Sequence, residues 1–254
     1  MAKLGKEIEN RITVSKKVVA AARTHGPGLA PALAAQAVQA QGPDDAPSAP
    51  AFAAMFESLA ATLLFFTKEM EKAALAHSAE QADDVAPRGA RATAGEALLS
   101  LVVQLRATVE TTLGSAGLRT YGLERETPRV PKALSSHVAN VMKLLAQAPV
   151  TLTTDLGTTF SSAAALDALT TRKAQLDDAL NDVDREAREL EDTLGKRNQA
   201  IDRWADAYQG VANTLTGLFR LAGRNDLAER VRPTSRTLSG EDEGPASPEE
   251  APTG

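Results

Sequence analysis

The sequence predicts an all-α protein, an antiparallel long-helix bundle of the four-helix-bundle kind, built from two duplicated helical hairpins with shorter helices beside them. Three observations carry this reading. First, an apolar seam at alternating spacings of three and four runs from 166 to 222, through Leu166, Leu169, Leu176, Leu180, Val183, Ala187, Leu190, Leu194, Ile201, Trp204, Tyr208, Val211, Leu215, Leu218 and Ala222, with Lys173 and Arg197 as its only interruptions. That period is one face of a coiled-coil-like helix. Second, aromatic residues make up only 4% of the chain and alternating runs are scarce, so no sheet is expected. Third, a shift of 106 positions lays Leu98, Val102, Leu105, Val109, Thr112 and Ala116 on Trp204, Tyr208, Val211, Leu215, Leu218 and Ala222. The same shift puts Gly117 on Gly223, and Glu124-Arg125-x-x-Pro128 matches Glu229-Arg230-x-x-Pro233 with one residue fewer. A repeat of this kind buries its apolar faces against its copy.

The elements follow in order. Leu4, Ile8, Ile12, Ser15, Val19 and Ala22 mark an N-terminal helix, region 1–24, which His25-Gly26-Pro27-Gly28 is expected to end. Region 25–50 reads as an Ala/Pro/Gly-rich linker with room for a short helix between Leu29 and Gln41. The first repeat, 51–148, opens with a helix of about 51–85 on the seam Phe52, Phe56, Leu59, Leu63, Phe66, Met70, Ala73 and His77. Pro87, which lacks an N–H and disfavours helix at the residue before it, is expected to break the chain there. A helix of about 91–116, apolar on several sides through Leu98 to Leu105, should be central. A shorter helix carries Leu134, Val138, Val141 and Leu145.

The second repeat, 149–232, begins with a Thr-rich stretch in which Ser161, Asp155 or a threonine could cap the long seam. Two geometries compete for 158–222. Unbroken seam phase favours one long helix; the duplication and the left-handed tolerance of Gly195 favour a hairpin near that glycine, and the hairpin is the preferred expectation. Region 233–254, rich in Pro, Gly, Ser and acids, reads as a disordered acidic tail.

Net charge is −5 with scattered basic residues, so nucleic acid is not an expected partner. Cysteine is absent, which excludes disulfides and thiolate metal sites. The longest uncharged apolar run, Ser58–Thr67, is half of the ~20 residues that span a bilayer, so membrane insertion is not expected. The charged first ten residues precede no apolar signal segment, and a cytoplasmic location is the expectation.

No catalytic, cofactor or metal site is expected. Glu-x-x-His, His-Glu-x-x-His and Gly-rich phosphate loops are missing. Ser135-Ser136-His137 places its groups on different helix faces. Asp178, Asp182 and Glu186 share a face, but Arg185 and Arg188 interleave with it as a solvated surface. The informative polar residues are Lys173 and Arg197, as register-setting charges or as a snorkelling end and an exposed turn respectively. His77 reads as a buried or interface histidine, and Trp204 with Tyr208 as core or as a stacking wall. The expected role is a non-enzymatic helical scaffold or interaction protein, with a protein partner or self-association. The alternatives are a membrane-active bundle that buries Phe52–Phe66 in lipid and a small-ligand-binding bundle.

Overall fold

The computed structural model describes residues 4–154, 157 and 159–241. Its elements are α1 (Lys6–Gln41), α2 (Ala49–Asp83), α3 (Val85–Thr120), α4 (Pro131–Gln147), β1 (Thr151–Thr153), β2 (Thr159–Ser161), α5 (Ser162–Leu221), α6 (Asn225–Val231) and α7 (Ser235–Ser239). The chain is all-α, with long helices as predicted. It divides into two compact units, one from Met1–Ala79 with Asp192–Gly254 and one from Glu80–Glu191. Each unit therefore draws on both expected repeats.

In the first unit Ile12, Val18, Ala22 and Leu33 of α1, Phe56, Leu63 and Met70 of α2, Trp204, Tyr208, Leu215 and Phe219 of α5, and Leu227 and Val231 of α6 form one core. Phe56 stacks on Phe219 at 5.9 Å between ring centroids. In the second, Leu98, Val102 and Val109 of α3 pack with Leu134, Val138, Val141 and Leu145 of α4, Phe160 of β2, and Leu169 and Leu176 of α5.

The hairpin near Gly195 does not form. α5 is one helix of 60 residues through that glycine, which does not adopt a positive φ; the unbroken seam phase was the better guide. Ser161 caps it, accepting from the Ala164 N–H at 3.3 Å. Asp155, the other named cap candidate, lies outside the described residues. The seam is buried at Leu169 and Leu176 and again from Trp204 to Leu218, whereas its members from Leu180 to Ile201 are half-buried or exposed.

His25-Gly-Pro-Gly does not end α1, which continues through Pro27 and Pro31 to Gln41. Both prolines are exposed, while Gly26, Ala30 and Leu33 are buried. The carbonyls that lose a partner, those of Arg23 and Pro27, therefore face water, which satisfies them. Gly26 is required by close approach, since a Cβ there would sit 2.4 Å from Phe56 Cγ. Pro87 likewise breaks less than expected. It falls in the first turn of α3, where N–H groups have no intrahelical partner, and only Asp84 separates α2 from α3.

α3 extends past Gly117 to Thr120, with a kink at Gly114 (φ 64°). It is not apolar-buried all round, because Val103 is 52% exposed. Its cap is Gly122 (φ 70°), where Leu123 N–H reaches Leu118 O at 2.8 Å. Gly223 (φ 74°) ends α5 in the same way, with Arg224 N–H to Phe219 O at 2.8 Å. The matching caps are thus Gly122 and Gly223, not Gly117 and Gly223. Of the positions paired by the 106-residue shift, Leu98, Val102, Leu105 and Val109 are buried, as are Trp204, Tyr208, Val211 and Leu215.

The Thr-rich stretch forms a two-stranded antiparallel hairpin rather than plain connector, with Leu152 opposite Phe160. Alternation there is only three residues long per strand, too short to stand out in the sequence. Phe160 is buried and lies 5.7 Å from Tyr121. The segment after Pro233 is also packed where described. Thr234 and Thr237 form a capping box at α7, and Leu238 joins the first core. At Gly240 (φ +78°) a Cβ would meet Glu7 O at 2.7 Å. Residues 242–254 of the expected tail lie outside the described residues.

Candidate functional site

α1, α5 and α7 bring the first unit's polar core groups together. Trp204 Nε1 donates to Ser15 Oγ at 2.9 Å, and Ser15 in turn donates to Arg11 O at 2.9 Å. Both side chains are buried, as is Arg11. The Arg11 guanidinium lies 5.7 Å from the Trp204 ring centroid and donates to Leu238 O at 3.2 Å and Ser239 O at 3.0 Å. Those are carbonyls at the C-terminal end of α7, where a cation is favoured. Asn10 adds a bond to Gly240 O at 2.9 Å. Burial pulls the Arg11 pKa below its ordinary value, Glu7 opposes this, and Arg197 adds to it.

Trp204 and Tyr208 stack at 5.2 Å and 19°, and both are buried. They are core, with no open ring face to serve as a ligand platform. His77 is also buried, and its Nδ1 lies 3.1 Å from Thr193 Oγ1. Burial first, and the positive charge of Arg197 second, lower its pKa, which favours the neutral ring. Arg197 does not sit in an exposed turn. It lies within α5 and half-buried, donating to Asn198 Oδ1 at 3.2 Å, while its Nε is buried without a hydrogen-bond partner among the described residues.

Lys173, in the second unit, does not snorkel at a helix end. Its ammonium pairs with Asp177 one turn on, and Ser135 Oγ of α4 donates to the same carboxylate at 2.5 Å. Burial pushes Asp177 up, but the bonds from Lys173 and Ser135 outweigh it and hold the carboxyl below its usual value. This is a tie between α4 and α5, and it leaves Ser135 facing an acceptor that also binds a lysine. Elsewhere in the second unit, carboxylates of Glu80, Glu186 and Glu189 lie within 4.8 Å of one another. Burial and then repulsion from Glu189, Glu186 and Asp83 raise the Glu80 pKa. Arg185 pairs with Glu186 at 3.2 Å and Glu189 at 3.9 Å, so the cluster carries its own counter-charge.

A face of the first unit between α2 and α5, which the sequence did not bring forward, carries two adjoining grooves. One groove of about 440 Å³ is lined by Leu59, Thr62, Phe66, Arg203, Asp206 and Gly210, among others. A neighbouring groove of about 230 Å³ shares Phe66 and Arg203 and adds Phe65, Glu69, Lys196 and Ala200. Phe65 is 58% exposed and meets Phe66 edge to face at 5.2 Å. The available signal was Phe65 itself, a large aromatic lying off the buried seam of α2. Ser15, standing in the apolar seam of α1, was the signal for the Trp204 bond. No family model, curated protein or solved structure matches the chain.

Proposed function

We propose that this chain is a non-enzymatic helical interaction protein that engages another protein through the open side of α2. The supporting observation is the composition of that side. From Ala49 to Thr67 the only charged residue is Glu57, and Arg23 neutralises it at 2.6 Å. Yet within that stretch only Phe56, Ala60, Leu63 and Thr67 are buried in the core. This stretch of α2, with its exposed Phe65, can be desolvated by a protein while the charges of Arg203, Asp206 and Glu69 stay at the edge of the contact. A photo-crosslinking amino acid in place of Phe65, compared with the same group at exposed Glu110 of α3, tests this in cell extract. Protein adducts specific to position 65 are expected. Their absence, or the same adducts from both positions, contradicts the reading.

One observation favours a second reading, a membrane-active helical protein. The run Ala49–Thr120 contains a window long and apolar enough to cross a bilayer by length and composition, and only 17% of that window is buried. This exceeds the ten-residue run that the sequence brought forward, because Glu57 alone separates two apolar stretches. Flotation with liposomes and dye leakage test it; no binding at any pH or salt concentration rejects it.

A further inference from the structure

We propose that the α2/α5 face of the first unit is where two copies of this chain associate, across a two-fold axis that sets Arg203 of each copy against Asp206 of the other. The inference rests on the interaction reading above and names the partner.

Charge complementarity selects a second copy. Arg203 and Asp206 stand three residues apart on the exposed side of α5 and line one groove. Neither makes an ion pair or hydrogen bond with any described residue, in contrast to Arg185, which pairs with Asp182 at the same spacing at 2.9 Å. In the neighbouring groove, which shares Arg203, Glu69 has no partner among the described residues, and Lys196 is held by Asp192 at 2.6 Å. The face thus carries acids and bases side by side. An isologous contact presents the same patch from both sides, so two antiparallel copies of α5 crossing between these positions satisfy both charges twice. Beside these charges, Leu59 and Phe66 of α2 and Val211 of α5 give the groove its apolar lining. Gly210 leaves space there, with nothing within 4 Å of where its Cβ would stand, and Phe65 supplies an exposed ring to fill it. A lipid surface fits worse, since Glu69, Asp206 and Arg203 would all have to leave water unpaired.

Sedimentation equilibrium of the full chain over roughly 1 to 100 µM, the range of a modest homodimer, reads the result. The wild type is expected to dimerise with rising concentration. Arg203→Glu and Asp206→Arg, both at exposed positions and checked for unchanged circular dichroism, should each weaken dimerisation by roughly tenfold or more, because like charges then face each other. An equimolar mixture of the two variants should recover wild-type association, since each mixed pair restores both contacts. Phe65→Ser should weaken it as well. A wild type that stays monomeric, single variants that dimerise as well as wild type, or a mixture no better than its components overturns the proposal. A monomer that crosslinks through position 65 to a different protein overturns the second-copy assignment and keeps the interaction reading; a monomer with no adduct overturns both. A monomer that floats with phosphatidylcholine vesicles overturns it in favour of lipid.

Discussion

The two cores are closed by different parts of the chain. In the first unit the Trp204–Ser15 bond joins residues 189 positions apart, and Arg11 reaches carbonyls 227 and 228 positions away. In the second, Lys132 meets Asp184 over 52 positions and Ser135 meets Asp177 over 42. Closing a loop of the longer kind costs about 1 kcal/mol more than the shorter. The second unit is also one contiguous stretch, whereas the first needs both ends of the chain. The first unit consequently carries the buried polar groups that fix which distant segments meet: Arg11, Ser15 and His77 among apolar side chains. The second buries only small uncharged polar groups such as Ser135 and Ser162, in a core that is aliphatic apart from Tyr121 and Phe160, and its charged tie is at the half-buried Asp177. α5 supplies both cores, from Leu169 and Leu176 on one side of its middle and from Trp204 to Phe219 on the other.

The largest expected effects break the cores separately. Trp204→Ala should cost about 3–5 kcal/mol and lower hydrogen-exchange protection in α1, α2 and α6, leaving α4 unchanged. Leu176→Ala is the counterpart, costing about 2–5 kcal/mol and reporting in α3 and α4. If either variant loosens all the helices equally, the two-core comparison fails. Next in size, Gly26→Leu must push Phe56 aside, an overpacking cost of about 1–3 kcal/mol, read as a lower urea midpoint with α4 still protected. Ending the chain after Arg232 removes the two acceptors of Arg11. About 1.5–3 kcal/mol should follow, again confined to the first unit's amides.

The smallest effects are those of pH, and they differ in sign. The lowered pKa of His77 means that its contribution is complete above the unfolded value of 6.5 and is lost as pH falls below it. His77→Gln should flatten that acid limb in the first unit. The raised pKa of Glu80 means that its contribution is complete below the unfolded value of 4.5 and is lost as pH rises through the folded one. Glu80→Gln should therefore stabilise the second unit at pH 7 and give no gain in acid. Unfolding curves of each variant against wild type across pH 4–8 check both signs.

Helix content was legible because seam periodicity reports burial directly: Leu98, Val102, Leu134, Val138, Trp204 and Tyr208 are core. Punctuation residues misled. Pro27 and Pro31 lie on the solvent side of α1, Pro87 lies in a first turn, and Gly195 keeps helical backbone. What a proline costs depends on which carbonyl it strands, and that is a matter of face. Continuous seam phase across Gly195 was the physically stronger signal, because a turn would have had to restart the period in register by coincidence. His77, Trp204 and Tyr208 were legible as buried. Arg11 was not, since its partners lie more than two hundred residues on, and the groove at Arg203 and Asp206 exists only once α2 lies beside α5.

One uninterrupted helix serves both cores, and a distance across Gly195 checks this. Spin labels at Glu189 and Asp206, both exposed in α5, should be separated by about 26 Å along a helix rising ~1.5 Å per residue. A separation of roughly 10 Å, the spacing of two packed helices, would mean that the chain folds back near Gly195 and would contradict it.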